Sequence, residues 1–89
     1  SSVIEYQQDA FSIFPNPSVG DIQIILAPEF YDQIAQVNVF NLAGEKVSSL
    51  ALSSLNNRQL DLNGLGEGMY LIEVRTDEFR SMEPLMIQN

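Results

Sequence analysis

Gly68-Met69-Tyr70-Leu71-Ile72-Glu73-Val74-Arg75-Thr76 is the stretch that decides the fold. Tyr70, Ile72 and Val74 share one face of an extended chain, while Glu73 and Arg75 take the other. That two-residue period, carried by β-branched and aromatic residues, predicts a strand with one face in a core and one in solvent. The glycines of Gly66-Glu67-Gly68 break the pattern just before it begins.

The same period runs outward in both directions. Upstream, Asp21 to Leu26 puts Ile22, Ile24 and Leu26 on one side, with Ile25 the apolar residue opposite. Ala35 to Phe40 pairs Val37 with Val39, Asn41 to Gly44 interrupts, and Glu45 to Leu52 resumes, which reads as a hairpin. An Asn-x-x-Gly tetrad suits such a turn, because Asn hydrogen-bonds its own backbone and Gly accepts the positive φ that closes the loop. Arg58 to Leu62 follows the turn-like Asn56-Asn57 and offers Leu60 and Leu62. Downstream, a last strand over Met82 to Gln88 turns Leu85 and Ile87 inward, with Pro84 tolerated only at an edge or a strand start. Between Pro28 and Ile34 there is room for one or two helical turns at most. About six or seven short strands separated by turn signals predict an all-β protein, a small antiparallel sandwich.

Eighty-nine residues make one domain. A chain of this size buries roughly 60–65% of its extended surface, so the core is thin. With neither Cys nor His there is no disulfide, no Ser-His or Cys-His pair, and no usual zinc ligand. The net charge of −8, with only Lys46, Arg58, Arg75 and Arg80 basic, opposes binding to nucleic acid or anionic lipid. No apolar run approaches the ~20 residues that span a bilayer, and the first residues lack a signal peptide's basic and apolar blocks. The chain starts at Ser1 without an initiator Met, which leads us to expect a longer precursor. Ser1 to Ala10, polar apart from Val3, Ile4, Tyr6 and Ala10, reads as a linker tail from an upstream domain, leaving residues 11–89 as the folded unit.

Chemistry is scarce. Any acid/base mechanism rests on carboxylates, and Asp61, Glu67, Glu73 and Asp77 fall at turns or on strand faces opposite the apolar ones, where solvated surface is expected. Asp61, Asn63 and Glu67 surround Gly64 with oxygens but lack the spacing of a calcium loop, so a Gly-rich turn is the expected reading. No enzyme, cofactor or metal site is therefore expected. Phe14-Pro15-Asn16-Pro17 holds Phe14 and Asn16 extended, since each precedes a proline, and leaves the Phe14 ring to bury itself as a strand ends. Tyr70 is expected as a core aromatic whose hydroxyl reaches the surface.

These ordinary elements occur in a particular order: Phe14-Pro15-Asn16-Pro17, the strand Ile22 to Leu26, Val37 to Gly44 ending in Asn41-Leu42-Ala43-Gly44, Asp61-Leu62 with Leu65, Gly68 with Tyr70, and Leu85 to Ile87. That series, covering nearly everything from Phe11 to Gln88, resembles the C-terminal sorting domain of the type IX secretion system (Por secretion system), type A. It departs from the pattern at Glu83-Pro84, where lysine usually opens the last strand, and at Phe79, where glycine is common. The resemblance implies an Ig-like sandwich carried behind a cargo protein through the periplasm and recognised by the outer-membrane translocon of a Gram-negative bacterium. It further implies removal by a surface sortase in the preceding linker, with the cargo secreted or left on the cell surface, released or joined to lipopolysaccharide. The partners so implied are the translocon, the sortase and the upstream cargo domain, with no nucleic acid and no membrane-spanning segment. The sorting-motif candidates are Phe14, Pro15, Asn16, Pro17, Asn41, Gly44, Gly68, Tyr70, Leu85 and Ile87. The alternative is a non-catalytic Ig-like binding module, for carbohydrate or adhesion, attached to a secreted protein. It calls for an exposed aromatic platform, yet Trp is absent, and Tyr6 and Tyr31 fall in loop-like sequence. A structural spacer between domains is a third reading.

Overall fold

A computed structural model describes residues 5, 6, 8, 10–30, 35–52 and 57–88. Among them are eight strands: β1 (Glu5–Tyr6), β2 (Phe11–Phe14), β3 (Asp21–Leu26), β4 (Ala35–Asn41), β5 (Lys46–Leu52), β6 (Asn57–Asp61), β7 (Gly68–Arg75) and β8 (Phe79–Ile87). They form two sheets, one ordered β1-β8-β7-β4-β5 and the other β2-β3-β6. Every pairing is antiparallel except the two-residue contact of β1 with β8. Lettered A to G from β2 onward, with β5 as C′, this is an ABE sheet facing a C′CFG sheet, a sandwich of the immunoglobulin-like class.

The alternation seen in the sequence places the core. Ile22, Ile24 and Leu26 of β3, with Phe11 of β2 and Leu60 of β6, face Val37 and Val39 of β4, Ile72 and Val74 of β7, and Phe79, Leu85 and Ile87 of β8, all buried. Ile24, Ile72, Leu85 and Ile87 are wholly inaccessible, and each such side chain contributes about 1.5–3 kcal/mol. The β4–β5 hairpin forms as expected, with a register shift between Val39 and Phe40 that leaves Val47 without a Cα partner.

Several expectations are corrected. The last strand starts at Phe79, three residues before Met82, because Thr76 builds a tight turn: its Oγ1 accepts hydrogen bonds from Glu78 N and Phe79 N at 3.1 Å. Pro84 therefore stands inside β8 rather than at its start, with its missing amide on the outer edge that β1 leaves unpaired, the other place the expectation allowed. In a strand alternate residues direct their amides to the same side, and those of Met86 and Gln88 point away from β7, so Pro84 removes no β7–β8 bond. Phe14 does not bury its ring. Phe11 and Ile13 take the inner face of β2, which sends Phe14 outward, 43% exposed. Tyr6, expected in a loop, lies in β1. The helical turn is a single 3-10 turn over Pro28–Phe30; Tyr31, the remainder of that segment to Ile34, and Asn56 lie outside the described residues, as does most of Ser1 to Ala10.

Candidate functional site

Of the motif residues, Asn16, Asn41, Gly44, Gly68, Tyr70, Leu85 and Ile87 come together at one end of the larger sheet, whereas Phe14 ends β2 of the smaller sheet. Asn41 of β4 stands opposite Tyr70 of β7, and Tyr70 opposite Leu85 of β8; one step further, Gly68 stands opposite Ile87. The Pro-Asn-Pro segment supplies the next member of the row. Asn16 Nδ2 donates to Pro84 O at 2.9 Å, and Met86 N donates to Asn16 Oδ1 at 3.0 Å, so the side-chain amide of Asn16 pairs with the β8 backbone on both sides of Leu85. Ser18 continues the pairing: its N–H donates to Met86 O at 2.9 Å and its carbonyl accepts from Gln88 N at 2.8 Å. Residues 16–18 thus finish the free edge of β8 where β1 does not reach, satisfying backbone groups left open by the strand's end. At 4.7–4.9 Å between strands, the row from Asn41 to Leu85 is about 10 Å wide, with Asn16 beyond it through its side chain.

Asn41 organises its own turn. Its Oδ1 accepts from Ala43 N at 3.0 Å and Glu45 N at 2.9 Å, its Nδ2 donates to Glu45 Oε1 at 2.9 Å, and its carbonyl accepts from Gly44 N at 3.0 Å. Gly44 has φ 87°, the left-handed conformation that the tetrad demands. Tyr70 packs its ring against the core and donates its hydroxyl to Gly66 O at 2.7 Å, so the same side chain fixes the glycine-rich approach to β7. Leu85 and Ile87 are fully buried, and only backbone and neighbouring side chains present their position to the outside. Pro15, Asn16 and Pro17 are exposed, and both X-Pro bonds of the segment are cis.

A scan against protein families matches residues 12–88 to the model described as the secretion system C-terminal sorting domain. The chain belongs to that family. It is a C-terminal sorting signal of the type IX secretion system, and such a signal directs an attached cargo through the outer membrane. No curated protein matches the chain.

Within the sorting domain, the Asp61-Leu62-x-x-Leu65 segment acts as a lock between β6 and β7. Leu62 is buried, Leu65 packs on the core, and Leu65 N donates to Leu62 O at 3.0 Å. Asp61 Oδ1 accepts from Asn63 N at 3.0 Å and Asn63 Nδ2 at 2.7 Å, and these bonds, the backbone one foremost, hold the Asp61 carboxyl below the usual aspartate value. Asn63 Nδ2 also reaches Asp21 Oδ1 at 2.9 Å, tying β3 to the loop. The Asp61 carboxylate is thus engaged by the turn at Asn63, and no cluster of three or more metal-ligating side chains occurs among the described residues. Nor is any helix among them long and apolar enough to cross a membrane.

Sequence reasoning missed two features of the sorting domain. Residues 16–18 act as a surrogate strand, through partners about seventy positions away that no local pattern announces. Glu73, expected on solvated surface, is only 5% exposed. Alternation assigned it to the outer face correctly, but Asn38, Arg80 and Met82 on the flanking strands cover it there.

Proposed function

We propose that residues 11–89 form a non-catalytic export signal which carries the protein fused ahead of it through the periplasm to the type IX translocon. Residues 1–10 serve as the linker tail in which a surface sortase cuts. The cargo then remains at the surface or is released from the cell. The observation that carries this reading is the assembly of Asn16, Leu85, Tyr70 and Asn41 into one row at one end of the larger sheet. Four separate sequence elements converge there, offering a translocon a single folded surface rather than a linear peptide. Asn16, polar and exposed, ends that row on one side, and the exposed Leu42 of the adjacent turn lies just past Asn41 on the other.

The test is sufficiency. A periplasmic reporter fused ahead of residues 1–89 is expected at the cell surface of a host that exports its own type IX cargo. Retention of the reporter in the periplasm of that host, with the domain folded, overturns the reading.

A further inference from the structure

Asn63-Gly64 is the one Asn-Gly pair in the chain, and it forms the centre of a turn in which Leu65 N donates to Leu62 O at 3.0 Å. The Asn63 side chain stands between two like charges. Asp21 of β3 and Asp61 of β6 are direct cross-strand partners, an arrangement that repels. Asn63 Nδ2 donates to Asp21 Oδ1 at 2.9 Å and to Asp61 Oδ1 at 2.7 Å, one proton to each carboxylate. Gly20, at φ 129°, makes room for this bridge, because a Cβ there would fall 2.5 Å from Asn63 Oδ1.

The bridging amide is also a covalent weak point. A glycine after Asn leaves the following backbone nitrogen unshielded, and around Gly64 even an added Cβ would meet nothing within 4 Å. Both residues are exposed, so water reaches them.

We propose that Asn63 is a deamidation site, guarded while the domain is closed and reactive once the turn opens. The Gly64 nitrogen gives its proton to solvent hydroxide and attacks Asn63 Cγ. The new N–Cγ bond forms, the Cγ–Nδ2 bond breaks, and Nδ2 leaves as ammonia with a proton taken from water. Water then opens the cyclic imide at either carbonyl and leaves aspartate or isoaspartate at position 63. In the closed domain the two Nδ2 bonds hold the amide on Asp21 and Asp61, away from the nitrogen that follows it, and the nearby carboxylates oppose negative charge on that nitrogen. Opening removes both restraints. The product cannot rebuild the bridge, because a donor shared by two carboxylates has become a third carboxylate that repels them. A chain held open is thus marked irreversibly and loses the tie between β3 and the Asp61 turn. The inference goes beyond the export reading and is independent of it.

The experiment incubates the 89-residue chain in mildly alkaline buffer with a chelator, folded or in guanidinium chloride. It follows the tryptic peptide from Gln59 to Arg75, in which Asn63 is the only Asn, for the mass gain of an NH-to-O exchange. Conversion at least about tenfold faster in the unfolded chain is expected, since the guarded form reacts only through its opened fraction. Gly64→Ala, at a position without positive φ and with open space beside it, is expected to keep its melting temperature and to suppress conversion in denaturant. Asn63→Asp, which copies the product, is expected to melt below Asn63→Ala, with the gap narrowed by added salt, because the first adds repulsion where the second only loses the bonds. Equal rates in the folded and unfolded chain, conversion unaffected by Gly64→Ala, or an Asn63→Asp variant as stable as Asn63→Ala overturns the proposal.

Discussion

Asn38 Nδ2 donates a 2.8 Å hydrogen bond to Glu73 Oε1, and both residues are almost wholly buried although they lie on the sheet face turned away from the core. They are direct partners across β4 and β7. Ser49 Oγ donates to Asn38 Oδ1 at 2.8 Å and Gln36 Nε2 donates to Ser49 Oγ at 2.9 Å, so a line of polar side chains crosses the sheet from β5 to the Glu73–Arg80 ion pair. Removing one member of a buried network strands its partners. Asn38→Ala is expected to cost about 1–3 kcal/mol, because the buried Glu73 carboxylate loses a donor, whereas the exposed Ser49 hydroxyl can turn to water. Urea unfolding measures it, and an unchanged midpoint refutes the network.

Gly44 tests the hairpin. At φ 87° a β-branched side chain is strained, yet a Cβ there meets nothing within 4 Å, so backbone conformation alone sets the penalty. Gly44→Val is expected to destabilise by at least about 1 kcal/mol, and Gly44→Asn by less, since Asn tolerates that region. Thermal melts of the two variants separate these outcomes. Gly68, at φ 147° with open space beside it, gives the complementary case. Gly68→Glu is expected to impair export, and circular dichroism tells whether the fold or only the presented surface has been lost.

How much of this was legible in the sequence follows from the range of each interaction. The inward faces of β3, β4 and β7 were readable because alternation is local: Ile22, Ile24 and Leu26 declare their face by spacing alone. The Asn41–Gly44 turn was readable for the same reason, its bonds closing within four residues. The depth of Glu73 was not, since neighbours on β4 and β8 decide it. Nor was the outward turn of Phe14, which depends on Phe11 and Ile13 claiming the inner face first. The docking of Asn16 onto β8 was least visible, because an Asn between two prolines reads locally as a loop and acquires its partners only when the sheet is complete.

Asn16→Ala probes that docking. It removes two hydrogen bonds at an exposed site, so a loss of about 1–2 kcal/mol is expected. The sharper readout is hydrogen exchange. The Met86 amide is expected to exchange faster while the β7-facing amides of β8 keep their protection, since only the outer edge of the strand has been opened. Equal exchange in the variant and the parent chain shows that the side chain does not hold β8.

Asp61 gives a pH-dependent test. Its folded-state value is depressed below 3.8 by the Asn63 hydrogen bonds, so its stabilising contribution is present above the unfolded value and lost as pH falls through the folded one. An NMR titration of the Asp61 carboxyl carbon is expected to show the low midpoint, and Asn63→Ala is expected to raise it towards the ordinary value. A midpoint unchanged by that substitution removes the lock as its cause.

The junction between leader and sandwich carries the last prediction. Among the described residues of the leader, Glu5 and Tyr6 pair with the larger sheet through a two-residue parallel contact with Phe79 and Arg80. Ala10, by contrast, is buried, and its carbonyl accepts from Ala27 N at 2.7 Å. A contact as short as β1 opens locally at little cost, whereas cutting after Ala10 requires β2 to leave the sheet. Limited proteolysis is therefore expected to cut upstream of Ala10 and to leave Phe11 to Gln88 intact. If a sortase uses the same opening in the cell, mature cargo ends upstream of Phe11. Intact-mass measurement of the surface protein decides the matter: cargo that still yields the peptide from Gly68 to Arg75 has kept its sorting domain, and removal is then refuted for this protein.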